Sequence, residues 1–272
     1  MYVVDVWKFP NSIEYEFKYS GNYGAKGEKR QKKKKATPEQ IKNQNQANRE
    51  KYTRRLIKAN FVPGDVWATL KYPKGTRKPL EEVMKDWERF RGKMARAYKQ
   101  RDQPFKFIYR IEVGARGGIH VHILLNRLKD GDTDLLLQEK WSYGRVNYES
   151  VYEAGGYEKL ANYLVKKPEE DTSEYEQLNL FEPSEQKKLV AINSSRNLIR
   201  PSPERKTYVR RTMRRLIEEG PRATEGYYID KNSIYSGVNR YTGFSYYHYT
   251  ENRLKEVNTR NGPPNGGRYE TG

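Results

Sequence analysis

The stretch Glu112-Val-Gly-Ala-Arg-Gly-Gly-Ile-His120-Val-His122 is the most informative part of this sequence, because it holds two of the three histidines of the chain. Successive side chains of a strand point to opposite faces, so both imidazoles leave the same face. If the glycine-rich segment 114–118 is the loop of a hairpin, Glu112 lies directly opposite His120, with Cβ atoms about 5 Å apart. The pattern therefore predicts a His-His-Glu metal site on a β-hairpin, as in a metal-dependent enzyme.

The charge of the chain indicates a polyanionic partner. Its 272 residues include 53 Lys and Arg against 35 Asp and Glu, for a formal net charge of +18, and 23 residues are tyrosine. A field of this sign favours nucleic acid, and Tyr rings beside Lys and Arg are the usual material of single-strand stacking surfaces. The alternatives are an anionic membrane surface and a solvated basic surface with no special partner.

Composition also limits the type of protein. The chain has no cysteine, which excludes disulfides and thiolate metal sites and suits a reducing compartment. No apolar run approaches the roughly 20 residues that a membrane span needs, and the N-terminus does not resemble a secretory signal. We therefore expect a cytoplasmic protein with no membrane partner.

The order of the predicted elements indicates an α+β fold. The central part alternates as strand, helix, two strands, short helix, strand and helix, which is typical of an antiparallel sheet of about five strands flanked by helices. We divide the chain into 1–59 (a hairpin, a basic arm and a polar helix), 60–170 (the core) and 171–272 (a linker and a basic, aromatic C-terminal region). Within the last part, 169–188 is interpreted as the linker and 204–220 as a basic helix.

A tyrosine on the last helix of the predicted core is a candidate nucleophile. This helix, over 156–167, ends before Pro168 and turns its leucines to the core, which leaves Tyr163 to face the sheet. Lys166 and Lys167 lie about one turn away from it. A phenol ionises only near about pH 10, so it attacks well when a cation favours the phenolate and a metal polarises the electrophile. The alternative for this element alone is a packed tyrosine beside two solvated lysines.

Three segments, in this order, resemble the motifs of the HUH endonucleases, and among these the rolling-circle replication initiators (Rep proteins) of plasmids, phages and integrative elements. Trp67-Ala-Thr-Leu-Lys-Tyr72 is similar to the first motif, an apolar strand containing Thr-Leu-x-Tyr. His120-Val-His122 is similar to the second, and Tyr163-Leu-Val-Lys166 to the third, Tyr-x-x-Lys. The resemblance covers roughly residues 60 to 170.

The resemblance implies an HUH nuclease fold and a metal-dependent nickase. One Mn²⁺ or Mg²⁺ ion would be held by Glu112, His120 and His122. Tyr163 would attack the scissile phosphate, giving a 5′-phosphotyrosine link and a free 3′-OH that can later rejoin the strand. Lys166, or Lys167 in its place, would steady the phosphate or the phenolate.

The same resemblance implies the partners, which are single-stranded or hairpin DNA at a replication origin and a host helicase. A helicase of the host is expected because the chain lacks a Gly-x-x-x-x-Gly-Lys-Ser/Thr loop of its own. On charge alone, further contacts to DNA phosphates are candidates at Arg116 in the hairpin loop, at Lys32 and Lys33 in the basic arm, and at Arg210, Arg211 and Arg214 in the predicted basic helix.

Other functions stay open at this point. A transposase or relaxase would use the same chemistry. A His-x-His hydrolase that activates water usually draws on a further, distant histidine, and only His248, within an aromatic cluster, is left for that role. A non-catalytic basic DNA-binding protein would stack the two imidazoles without a metal. A covalent protein–DNA adduct separates these alternatives.

Overall fold

The structure, a computed structural model, describes residues 2–19, 37–150, 156–166, 172–239 and 243–254. Its strands are β1 (Tyr2–Lys8), β2 (Ser12–Tyr19), β3 (Val66–Lys71), β4 (Phe107–Val113), β5 (Ile119–Leu125), β6 (Arg145–Ser150), β7 (Ile192–Ser194), β8 (Glu204–Tyr208), β9 (Tyr227–Val238) and β10 (Ser245–Arg253). Its helices are α1 (Pro38–Asn60), α2 (Leu80–Gln100), α3 (Thr133–Lys140), α4 (Gly156–Val165), α5 (Ser173–Asn179), α6 (Pro183–Leu189) and α7 (Arg210–Glu219). No described helix is long and apolar enough to cross a membrane.

The chain forms two compact units, each built on one sheet. The central unit is Lys32–Pro201, and the terminal unit combines Met1–Gln31 with Ser202–Gly272. The central sheet has the strand order β6-β3-β5-β4-β7 and the terminal sheet the order β8-β1-β2-β10-β9. The described strand pairs are antiparallel. The predicted α+β class is therefore confirmed, and the structure adds a second sheet to it.

The hairpin β4–β5 has the register that the sequence predicts. Val113 lies opposite Ile119 and Glu112 lies opposite His120. The loop between the strands places Gly117 at a φ of +75°, in the left-handed region that favours glycine. The pairing is fixed because a slip of one residue would turn the apolar residues of both strands away from the core.

The two faces of the central sheet are covered by different helices. On one face, Val121 and Ile123 of β5 join a buried cluster with Trp87, Phe90 and Met94 of α2. On the face that carries the histidines, a second buried cluster joins α1 and α4 to the sheet, and its members are Leu56, Ile57, Phe61, Trp67, Ile108, Leu124, Tyr157, Ala161, Leu164 and Leu198. This second cluster places α4 over the histidine-bearing face.

Helix α1 begins where the sequence predicts. Thr37 is the N-cap and its side chain accepts a hydrogen bond from the backbone of Gln40, whose own side chain accepts from the backbone of Thr37. This reciprocal pair satisfies two backbone donors at the start of the helix. Pro38 occupies the first helical turn, where the missing N–H costs nothing.

The structure divides the chain differently from the three predicted segments. The N-terminal hairpin of segment 1–59 pairs with strands of segment 171–272, with Tyr2 opposite Tyr208 and Phe17 opposite Tyr247. Helix α1, placed in the same predicted segment as the hairpin, belongs to the central unit. Pairing between the two ends of a chain leaves no local pattern, so segment boundaries drawn from composition miss it.

The C-terminal part is more regular than the sequence predicts. The expected linker at 169–188 contains α5 and α6, the expected basic helix at 204–220 is β8 followed by α7, and the aromatic region contains β9 and β10. Strand β8 is an edge strand with exposed polar side chains, and β10 carries tyrosine on both faces, so neither shows the apolar alternation that predicts a strand.

Candidate active site

Three side chains of the β4–β5 hairpin converge on one point. Glu112 Oε1 lies 2.9 Å from Nε2 of His120 and 2.8 Å from Nε2 of His122. One ligand atom from each of the three residues lies within 4.8 Å of the others. Two imidazoles and a carboxylate form a donor set that suits Mn²⁺, with Mg²⁺ tolerated, so this group could hold a divalent metal ion.

His122 is held in position by β3, the strand beside it. Thr69 lies directly opposite His122, and its Oγ1 is 3.1 Å from Nδ1 of the ring. The indole of Trp67 stacks on the imidazole, with ring centroids 5.4 Å apart and an interplanar angle of 10°. Because Nδ1 is engaged by the threonine, Nε2 is the nitrogen presented to Glu112. Such outer partners orient a metal-binding histidine and raise its affinity.

Burial and mutual contact keep this group in its metal-binding protonation states. Burial by itself would raise the pKa of Glu112, but the contacts with the two imidazoles lower that pKa well below its usual range. For His122, burial lowers the pKa, and the nearby carboxylate of Glu112 opposes this shift. An ionised carboxylate beside a neutral imidazole is the combination that metal binding requires.

The hydroxyl of Tyr163 reaches the same point from α4. It lies 2.9 Å from Nε2 of His122 and 3.0 Å from Oε1 of Glu112. Leu164, the next residue, is fully buried against the sheet, whereas Tyr163 is 43% exposed. The buried neighbour anchors the helix, and the phenol is left at the surface of the group and open to a large substrate.

Arg110 is a residue of this site that the sequence analysis missed. Its side chain is buried, and its Nη1 donates to the backbone carbonyls of Leu164 (2.9 Å) and Tyr163 (3.3 Å). Its Nε lies 3.4 Å from Oε2 of Glu112. The guanidinium thus binds the C-terminal carbonyls of α4, which lack helical partners, and ties the nucleophile's helix to the metal-binding strand. A signal was present, because Arg110 precedes Glu112 by two residues on β4 and so shares its face.

Lys166 follows α4 and lies next to the tyrosine. Its backbone N–H donates to the carbonyl of Asn162 at 2.8 Å, and its side chain is exposed. Together with Tyr163, Arg110 and Glu112, it lines a cavity of about 240 Å³ whose apolar wall includes Leu178. Lys167, the other candidate lysine, lies outside the described residues.

The remaining candidate residues are placed apart from the metal group or are not described. Arg116 is exposed in the β4–β5 loop, where its carbonyl accepts a bond of 3.2 Å from Nη2 of Arg77. Lys32 and Lys33 lie outside the described residues. On α7 of the terminal unit, exposed side chains are those of Arg210, Arg211 and Arg214. The third histidine, His248, is on β10 beside Tyr246, with ring centroids 5.6 Å apart. DNA contact by the arginines stays a prediction.

Comparison with known proteins gives one match, and it falls on the site-bearing part of the central unit. No curated protein and no solved structure matches the chain. Residues 65–168 match the family model of the replication-associated protein ORF2. The matched segment begins just before β3, which carries Thr69, and ends after α4, which carries Tyr163. It therefore supports a replication initiator family for this chain.

Proposed function

We propose that this protein nicks and rejoins one strand of DNA to initiate rolling-circle replication of a plasmid, phage or integrative element. The observation that carries the proposal is the position of the Tyr163 hydroxyl, within 3.0 Å of ligand atoms of both Glu112 and His122. A phenol that points at a candidate metal group is placed to attack a phosphate held there. The family match to a replication-associated protein supports the same function.

The three hairpin residues would hold the metal, and the donor set fits one. Glu112 contributes an ionised carboxylate, and His120 and His122 contribute imidazole nitrogens that face it. When bound, Mn²⁺ or Mg²⁺ supplies the polarisation of a phosphoryl oxygen and offsets the charge that develops at phosphorus.

The chemical step is a transesterification in which the phenol replaces the 3′ oxygen. The oxygen of Tyr163 forms a bond to phosphorus, and the bond between phosphorus and the 3′ oxygen of the preceding nucleotide breaks. The phenolic proton leaves to solvent, which the 43% exposure of Tyr163 permits, and the departing 3′ oxygen takes a proton. Lys166, one turn along the chain, supplies a cation that favours the phenolate or the phosphate. Because the phosphodiester energy is kept in the tyrosyl link, a 3′-OH can reverse the step and rejoin the strand.

The substrate follows from the exposure of the site. A phosphate must reach the phenol and the metal group together, which a single-stranded or hairpin segment at an origin allows better than a continuous duplex. Because the sequence has no phosphate-binding Gly-x-x-x-x-Gly-Lys-Ser/Thr loop, we propose that a host helicase unwinds the template.

The test is formation of a covalent adduct. A labelled single-stranded hairpin oligonucleotide is incubated with the protein and Mn²⁺, and the products are separated on a denaturing gel. We expect an adduct with the wild type and none with Tyr163→Phe, which lacks only the attacking oxygen. Tyr109→Phe is the matched control, because Tyr109 is on the other face of β4, stacked on Trp87 at 4.0 Å.

Each other outcome identifies another function. Cleavage without an adduct would indicate a hydrolase that uses water. Binding with neither cleavage nor adduct would indicate a non-catalytic DNA-binding protein. An adduct that persists in Tyr163→Phe would show that another residue is the nucleophile. Transposition or relaxase activity would show the same adduct but a different DNA substrate.

A further inference from the structure

A groove on the central unit leads to the proposed nucleophile and is not used by the chemical step. It has a volume of about 970 Å³, lies between α1 and α4, and ends at Tyr163 and Lys166. The C-terminal half of α1 packs on α4 through Leu56 and Ile57, whereas residues 38–45 of the helix are exposed. The first half of α1 therefore stands as one wall of an open groove.

The wall that α1 presents has one consistent chemistry. Lys42, Asn45, Arg49 and Tyr52 line the groove and follow one another at intervals of three or four residues, which places them on one stripe of the helix. A basic side chain can pair with a phosphate, an amide can bond to a base edge, and an aromatic ring can stack on a base. The sequence of α1 supplies all of these on the side that faces the groove.

The stacking position is held in place by the fold. Arg200 Nη1 donates a hydrogen bond of 2.6 Å to the hydroxyl of Tyr52, while 48% of this tyrosine stays exposed. The wall itself is tied to α4, because the side chain of Gln46 donates to the carbonyl of Val165 at 3.3 Å. A ring fixed at one edge and exposed elsewhere loses little entropy when a base stacks on it.

The size and charge of the groove fit a single strand. Lys42 to Tyr52 spans about 15 Å along the helix axis at 1.5 Å per residue. That length is room for about four stacked nucleotides at 3.4 Å each. The groove is lined by the cations of Lys42, Arg49 and Lys166 and by one carboxylate, that of Glu50, which accepts a bond of 2.9 Å from Gln46.

We propose that the groove between α1 and α4 binds the single-stranded DNA on one side of the scissile phosphate. Arg49 contacts a phosphate, Tyr52 stacks on a base, and Asn45 reads a base edge, so this groove contributes to the choice of the nick site. The proposal rests on the proposed nickase function, because the groove ends at the tyrosine that would attack the strand.

The first test measures binding alone, without nicking. A fluorescent mixed-sequence single strand of about 20 nucleotides is titrated with the full chain in EDTA, and its anisotropy is followed at several salt concentrations. We expect Tyr52→Leu to weaken binding about tenfold, the effect of losing one stacked base. Arg49→Gln is expected to lower the slope of log affinity against log salt by about 0.7, the effect of losing one phosphate contact on a single strand.

Two control variants separate a contact with DNA from damage to the fold. Arg96→Gln makes the same change at an exposed arginine of α2, outside the groove, and should leave the salt slope unchanged. Tyr52→Phe keeps the ring and loses the bond from Arg200, so it should retain most of the affinity. Equal losses in Arg49→Gln and Arg96→Gln, or equal losses in Tyr52→Leu and Tyr52→Phe, would overturn the proposal.

The second test locates the groove relative to the nick. Adduct formation with Mn²⁺ is measured on substrates shortened on one arm at a time. We expect the wild type to show a higher KM when one particular arm is removed, and Tyr52→Leu to be insensitive to removal of that same arm. Sensitivity of the variant equal to that of the wild type would overturn the placement.

The two tests fail independently of the proposed function. If no adduct forms with the wild type but the groove variants still lose binding, the nickase function fails and the groove stands as a single-strand site. If the adduct forms and all groove variants bind normally, the function stands and the groove proposal fails.

Discussion

Each of the two sheets largely buries a carboxylate on a strand, and the two carboxylates have opposite surroundings. In the central sheet, Glu112 contacts the two histidines of β5 at 2.8 and 2.9 Å. In the terminal sheet, Asp5 of β1 accepts bonds of 2.6 and 2.9 Å from the guanidinium of Arg205 and lies 2.6 Å from the ammonium of Lys18. Imidazole has a lone pair to share with a metal, whereas guanidinium and ammonium have none. The first arrangement is a potential metal site, and the second is an ion pair that holds strands together.

The comparison teaches that burial of a carboxylate does not by itself indicate a functional site. Both groups have lowered pKa values, and burial opposes the shift in both. The chemistry of the partners separates them. It follows that the same substitution, carboxylate to amide, should affect metal-dependent activity in one sheet and stability in the other.

The largest effect is expected at Glu112. Glu112→Gln removes the charged ligand, and we expect the affinity for Mn²⁺ and the rate of adduct formation to fall at least about 100-fold, since even indirect ligand partners contribute roughly 10- to 100-fold. Titration calorimetry with Mn²⁺ and the adduct assay measure these quantities. Asp5→Asn is the matched control and should leave both unchanged. Mn²⁺ binding by Glu112→Gln equal to that of the wild type would contradict the metal site.

The next effect concerns the stability of the terminal sheet in acid. The hydrogen bond from Arg205, opposed by burial and helped by Lys18, lowers the pKa of Asp5 to about 2 from 3.8. A group whose folded pKa is lowered contributes stability above its unfolded pKa, and this contribution is lost as pH falls from 3.8 through about 2. We expect a loss of about 2 kcal/mol in the free energy of unfolding over this range, at about 1.36 kcal/mol per pKa unit.

Denaturant unfolding at a series of pH values measures this prediction. Asp5→Asn cannot titrate, so the difference between the wild type and this variant isolates the contribution of one carboxyl group from those of all others. The difference should be largest at neutral pH and shrink in acid. A difference that is constant between about pH 5 and about pH 2 would show that Asp5 does not titrate as its ion pair predicts.

The smallest of these effects concerns the orientation of His122. Thr69→Val keeps the shape of the side chain and removes the hydroxyl that contacts Nδ1 at 3.1 Å. We expect Mn²⁺ affinity to fall about tenfold, the lower end of the range for outer partners. Thr69→Ser keeps the hydroxyl and should restore most of the affinity. If valine and serine give the same affinity, the threonine does not orient the ring.

Local patterns in the sequence carried much of the site. The alternation of β5 and the glycine-rich loop put Glu112 opposite His120, a contact between residues eight positions apart, and the structure has this register. Trp67-Ala-Thr-Leu-Lys-Tyr72 was recognised as a motif, but the contact of Thr69 with His122 requires the pairing of β3 with β5, strands that are distant in the chain. Arg110 escaped notice because its partners are backbone carbonyls of α4, which no side-chain pattern reveals.

The amino-acid sequence was therefore sufficient for the hairpin, its register and the shared face of the two imidazoles and the carboxylate, because those depend on strand periodicity and a short loop. Only the tertiary structure brought the Tyr163 hydroxyl to that face, through the packing of Leu164 and Leu56 against the sheet, and only it joined β1 and β8 across the length of the chain. Both depend on contacts between residues far apart in the sequence, and these contacts form because they bury apolar surface and pair strand edges that no local pattern specifies.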